Sequence, residues 1–275
     1  MVRNIYNLAV SSTIRKSSDA GYGSFKVWPT ICSLFLVVVT LLSFSCASKE
    51  VKKEPLDPKA MLLKADKLIG DEEYEEARRL LNEVKGSDTT IKYAPIAQLK
   101  IAESYAKEDN PEEAVSEYKR FIELYPDSQY APYAQYQIAM LYFSRIQGPE
   151  RGVGEAKSAL KEFRKLRSMY PRNPYKEIVD INIKKCLNII AEYEFIVGKF
   201  YFDKDSYGAA LGRFLGILKN YPDYIGTERV LYYIALSYRH EGDKDNALKY
   251  LKILKNKFPE GKYVKELAET FSEDE

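Results

Sequence analysis

The chain has 275 residues, 45% of them hydrophobic and 13% aromatic, which is enough apolar material for a sizeable core and excludes a disordered chain. Its 42 basic and 40 acidic residues give a formal charge of +2, but residues 1–46 hold Arg3, Arg15, Lys16 and Lys26 against Asp19 alone. Without that segment 38 basic residues meet 39 acidic ones, so no strongly basic surface is implied and nucleic acid is not an expected partner.

The amino-terminal segment reads as an address. The apolar run from Ile31 to Phe44 is short for a membrane span and fits the core of a signal peptide over residues 1–45. The run closes on Leu41-Leu42-Ser43-Phe44-Ser45-Cys46, which resembles a bacterial lipobox, with Ser43 standing where Leu is usual. Cleavage before Cys46 would leave its thiol carrying diacylglycerol and its amino group an acyl chain; no other cofactor is expected. Cys32 is removed with the signal. Residues 46–57 are charged and lack apolar periodicity, so they form a tether whose typical reach is roughly 18 Å. Ala47 stands where an aspartate tends to retain such lipoproteins at the inner membrane, so the periplasmic face of the outer membrane is the expected location.

From Asp57 onward an aromatic followed by proline recurs, at Tyr125-Pro126, Tyr170-Pro171, Tyr221-Pro222 and Phe258-Pro259, each stopping a helix. The spacing between these stops fits the helix-turn-helix unit of tetratricopeptide repeats. One unit carries Ala102, Tyr105, Ala114, Tyr118 and Phe121; another Gly198, Tyr201, Ala210 and Phe214; another Ala235, Tyr238, Ala247 and Leu251. The small residues let paired helices approach and the aromatics fill the space beside them. A weaker unit from Pro58 keeps Ala65, Ala77, Leu81 and Val84 but ends in Gly86 in place of an aromatic and proline, as terminal repeats often do.

The unit beginning at Pro132 receives its second helix late, and Gly148, Pro149, Gly152 and Gly154 make the excess, Arg145 to Gly154, a loop. A further excess carries Ile178, Ile181, Ile183, Leu187 and Ile190 at helical spacing and runs without a breaker into the next unit, predicting one long helix from Lys176 to Phe202. The expected fold is an all-α tetratricopeptide-repeat solenoid of about five helical hairpins with that long linking helix. Repeats 1–3 occupy residues 58–174, the long helix with repeats 4 and 5 occupies 175–265, and 266–275 form an acidic tail.

Nothing in the sequence assembles a catalytic constellation. His240 is the only histidine and falls in a turn; Cys186 has no partner at metal-ligand spacing and reads as a buried structural thiol; the glycines from 148 to 154 lack the lysine of a phosphate loop. No enzymatic activity is expected. A partner would meet the concave surface instead, where the offsets not used in hairpin packing hold Leu62, Ile69, Ile96, Leu99, Tyr133, Tyr136, Met140 and Phe143. Such an apolar, aromatic groove suits an extended peptide, although the same side chains serve equally well to pack one repeat on the next.

The run Ala191-Glu192-Tyr193-Glu194-Phe195, continuing through Val197, Phe200 and Tyr201 to Gly208-Ala209-Ala210-Leu211-Gly212-Arg213 and Tyr221-Pro222-Asp223, resembles the BamD family. These are lipoproteins of the machinery that inserts β-barrel proteins into the outer membrane. The resemblance covers the lipidated terminus and all five repeats. It implies that Arg213 contacts the periplasmic domain of the barrel subunit BamA nearest the membrane. It also implies that the amino-terminal repeats receive the carboxy-terminal signals of unfolded outer membrane proteins. Other lipoproteins of the machinery are further expected partners, although the last two helices stand closer to the generic repeat pattern. A repeat lipoprotein organising cell-wall synthesis or polysaccharide export would share the fold and anchor but not the partner.

Overall fold

The computed structural model describes residues 57–272; Cys46, the signal segment, the tether up to residue 56 and the last three residues lie outside the described part. The described residues form eleven α-helices and no strand. α1 (Pro58–Gly70) pairs with α2 (Tyr74–Ser87), α3 (Ala94–Lys107) with α4 (Pro111–Leu124), and α5 (Ala131–Ser144) with α6 (Val153–Met169). The long α7 (Lys176–Phe202) pairs with α8 (Tyr207–Asn220), and α9 (Thr227–His240) with α10 (Lys244–Lys257). Each second helix also packs on the first helix of the next hairpin, so the chain is an all-α tetratricopeptide-repeat solenoid.

The helix limits follow from local chemistry. Pro58, Pro95, Pro111 and Pro132 sit in the first turns of α1, α3, α4 and α5, where a missing N–H costs nothing. Tyr125, Tyr170, Tyr221 and Phe258 close α4, α6, α8 and α10 with their own N–H bonded to the carbonyl one turn back, at 2.9 Å in each case, and the following proline prevents continuation. The first hairpin, which lacks the aromatic and proline, uses Asp88. Its carboxylate accepts from the N–H groups of Thr90 at 3.0 Å, Tyr93 at 2.5 Å and Ala94 at 2.8 Å, so it both ends one hairpin and caps the start of α3.

The turns inside four hairpins place Glu72, Asp109, Asp205 and Gly242 at positive φ, between 56° and 79°. At each, the N–H of the following residue bonds back to a helix carbonyl, as in Asn110 to Tyr105 at 2.9 Å. In the third hairpin residues 145–152 form the loop between α5 and α6, two residues shorter than expected because Val153 and Gly154 already belong to α6. Gly152 is needed there because an added Cβ would lie 2.7 Å from the backbone nitrogen of Gln147.

The core runs through the solenoid as a series of seams, each drawing on two neighbouring hairpins. Ala97 and Ile101 of α3 join Ala65, Ala77 and Leu81 of the first hairpin, and Ala131 and Ile138 of α5 join Tyr118 and Phe121 of the second. Phe121, Phe163 and Phe214, wholly buried at equivalent places in successive repeats, each contribute about 1.5–3 kcal/mol of burial. Gly198 of α7 meets the ring of Phe214 so closely that a Cβ would lie 2.6 Å from it, which explains the small residue at this offset.

Two expectations change. Residues 266–272 are not a tail but the continuation of α11 (Lys262–Ser272), whose Val264 and Leu267 are buried against α9 and α10. The acidic composition conceals an apolar stripe that covers the open edge of the last hairpin, as a terminal repeat requires. His240 closes α9 and does not lie in the turn; it is exposed but stacks on Tyr207 with ring centroids 4.3 Å apart.

Candidate protein-interaction surface

The eight groove positions divide. Leu62, Ile69 and Leu99 are only 7%, 6% and 8% exposed, so they are core residues and not part of a peptide groove. Leu62 and Ile69 face the seam with Ala97 and Ile101, and Leu99 packs with Ala114, Val115 and Tyr118, because the next element covers offsets that a single hairpin leaves open. Ile96, Tyr133, Tyr136, Met140 and Phe143 are half-buried and keep surface facing solvent.

Each of the retained α5 side chains is held by a neighbour. The Tyr133 hydroxyl donates to Glu103 Oε1 at 3.0 Å, and burial, reinforced by that carboxylate, pushes its phenol up to about 12. Tyr136 stacks on Tyr175 with centroids 4.5 Å apart and planes inclined by 10°. Asn182 of α7 donates to Met140 Sδ at 3.6 Å, and Phe143 meets Phe163 edge-on at 5.9 Å. These aromatics are therefore oriented by packing while their outer faces stay open.

Arg213 lies on α8 with its side chain 43% exposed, and its Nη1 donates to Glu194 Oε2 of α7 at 2.7 Å. Gln98 donates to Glu117 Oε2 at 2.5 Å and Gln135 to Glu162 Oε2 at 2.8 Å between the equivalent helices of the second and third hairpins. In all three pairs the first member precedes the packing residue Ala102, Ala139 or Gly198 by one helical turn, and the second follows Ala114, Ala159 or Ala210 by three residues. Arg213 thus occupies an interhelix clasp position, and the first and last hairpins place Met61 with Leu80 and Leu231 with Tyr250 there. Intrachain pairing engages one edge of the guanidinium. Beside it Ala209, Gly212, Gly216, Asn220 and Tyr221 line a shallow depression of about 370 Å³.

One apolar surface is absent from the sequence reading. Ile178 and Ile181 of α7 are 41% and 49% exposed, although helical spacing groups them with the buried Ile183 and Ile190. Ile225, in the turn before α9, is 85% exposed. An isoleucine among turn residues is the sequence signal that could have flagged it.

The reactive side chains are placed as structural groups. Cys186 is fully buried on α7, and desolvation pushes its thiol up to about 11. Among the described residues no His, Cys, Asp and Glu side chains gather as a metal site. No described helix is long and apolar enough to cross a membrane.

Residues 56–249 match the model of the YfiO family, described as an outer membrane lipoprotein. The outer membrane protein assembly factor BamD of Rickettsia prowazekii is 26% identical over 229 residues, covering 83% of this chain and 91% of that protein. BamD of Neisseria meningitidis serogroup A is 22% identical over 206 residues, with 71% and 77% covered. Among solved structures the TPR2AB domain of yeast Sti1 is similar at a TM-score of 0.44 and 14% identity, covering 75% of this chain and 80% of that one. MamA is similar at a TM-score of 0.31 and 18% identity, covering 74% and 92%. The family match spans most of the repeat array, and with it the chain belongs to the YfiO/BamD family of outer membrane lipoproteins.

Proposed function

We propose that this chain is a periplasmic scaffold of the β-barrel assembly machinery, held at the outer membrane by lipid on Cys46. In this reading Arg213 and the depression beside it bind BamA, and the half-exposed Ile96, Tyr133, Tyr136, Met140 and Phe143 receive the carboxy-terminal signals of unfolded outer membrane proteins. The observation that carries it is the family match across the repeats, shared with relatives named as outer membrane protein assembly factors. The site chemistry is compatible: the free edge of a planar guanidinium can grip a partner carboxylate with two hydrogen bonds, and fixed aromatic faces bind extended chains without a large ordering cost. The scaffold contributes by positioning and needs no catalytic group.

Depletion of the chain from growing cells tests this. The account predicts loss of β-barrel proteins from the outer membrane and accumulation of unfolded ones in the periplasm. Normal barrel levels with a defect confined to the cell wall would contradict it.

A further inference from the structure

α7 is longer than a repeat helix, and its first half leaves one face without a helix packed on it. The stripe Ile178, Ile181, Lys185 and Ile189 runs along that face while Val179, Ile183, Cys186 and Ile190 point into the core. Phe143 from the end of α5 and Ile225 from the turn before α9 stand at its sides. With Lys184 and Lys185 they bound a trough of about 500 Å³ over Ile181 and Ile189. Asn188 fixes one wall, since its Oδ1 accepts from the backbone N–H of Ile225 at 3.0 Å. Beyond it a second hollow of about 460 Å³ continues along Leu187, Tyr221 and Tyr224.

Two features define what this trough fits. Its floor is a helix ridge at intervals of three, four and four residues over about three turns, apolar at Ile178, Ile181 and Ile189 and completed by the aliphatic stem of Lys185, the pattern that a second helix covers by packing ridges into grooves. Lys184 and Lys185 are exposed, and neither has an ion-pair partner among the described residues. The carboxylates of Asp180 and Glu192 pair with Arg167 and Arg229, no carboxylate among the described residues lines the trough itself, and Asp223 shares the second hollow with Lys184. The trough is therefore apolar in its floor and positive at its rim. Ile225, proud of the surface yet held by Asn188, would fill a gap between side chains of whatever docks there, at little ordering cost.

We propose that this trough is a docking site for an amphipathic helix of a partner protein, with an apolar stripe seated on Ile181, Ile189 and Ile225 and carboxylates paired with Lys184 and Lys185. The site is separate from Arg213 and does not depend on BamA being a partner.

The probe is a fluorescein-labelled, hydrocarbon-stapled 15-residue helix with three leucines on one face flanked by glutamates, mixed with the full chain in phosphatidylcholine nanodiscs. Empty nanodiscs are the blank. Saturable binding is expected, weakened at least tenfold by Ile225→Asp, which changes an exposed side chain and should leave the thermal melt unaltered. Lys184→Glu with Lys185→Glu should reverse the preference toward a peptide whose glutamates are replaced by lysine, a readout that loss of structure cannot produce. Arg213→Leu should leave peptide binding unchanged, so failure of the BamA reading and failure of this one are distinguishable. Equal binding of an unstapled peptide broken by proline would overturn the helix in favour of an extended occupant. Absence of saturable binding, or full binding to Ile225→Asp, would overturn the site.

Discussion

Arg213 Nη1 and Glu194 Oε2 stand 2.7 Å apart across α7 and α8, where the second and third hairpins use Gln98 with Glu117 and Gln135 with Glu162. One position therefore serves the hairpin in two repeats with an amide and a carboxylate, and in the fourth with a charge pair that reaches solvent. With side chains 43% and 22% exposed, the pair contributes no more than about 1 kcal/mol. Glu194→Gln should lower the melting temperature only slightly, while releasing the guanidinium from its set direction and weakening BamA capture less than Arg213→Leu does. Paired thermal melts and pull-downs check this; a large loss of stability in either variant would make the pair a structural element.

Gly198→Ala should destabilise the fourth hairpin. The added methyl meets the Phe214 ring, which is wholly buried and cannot swing away, so the cost is that of overpacking, about 1–3 kcal/mol. Equilibrium urea unfolding measures it, and an unchanged midpoint would mean that the two helices separate freely.

Asp88 supplies a pH dependence with a definite sign. The Thr90 hydroxyl, which donates at 2.7 Å, and the N–H groups of Thr90, Tyr93 and Ala94 hold its carboxyl down at about 2, below the ordinary value of 3.8. A depressed carboxylate stabilises the fold fully above its unfolded pKa, and the contribution is lost as pH falls from about 4 toward 2. Asp88→Asn should thus be less stable than the native chain at neutral pH, with the gap closing on acidification. Melts from pH 7 to pH 2 check it, and a gap that stays constant across that range would contradict the assignment.

Leu267→Ala should cost about 2–5 kcal/mol, since the side chain is completely buried where α11 covers the last hairpin. Hydrogen exchange should quicken in α9 to α11 before the remaining helices respond. Exchange unchanged in those helices would return residues 266–272 to the status of a tail.

The hairpins and the long helix were legible because their signals are local: proline after an aromatic stops a helix, and Ala102, Gly198 or Ala235 marks a close approach wherever it occurs. The seams were not. Leu62, Ile69 and Leu99 have the offsets of groove residues, and only the next hairpin in space decides that they are covered. The same holds for α11, whose buried Val264 and Leu267 stand beside Lys265 and Glu266, and for Ile178 and Ile181, which share helical spacing with core isoleucines but face outward. Arg213 was found by resemblance, while its pairing with Glu194 depends on two helices lying side by side. Spacing within a helix is written in the sequence; which faces meet a neighbour is set by the stacking of repeats.

The central claim is association with BamA, and the direct measurement is copurification. Full-length chain carrying a carboxy-terminal tag is isolated from detergent-solubilised outer membranes, and BamA in the eluate is quantified against the bait, beside Arg213→Leu prepared identically. The account predicts BamA in near-stoichiometric amount with the native chain and at least tenfold less with Arg213→Leu at an unaltered melting temperature. Absence of BamA from the native eluate, with a cell-wall enzyme in its place, would contradict it.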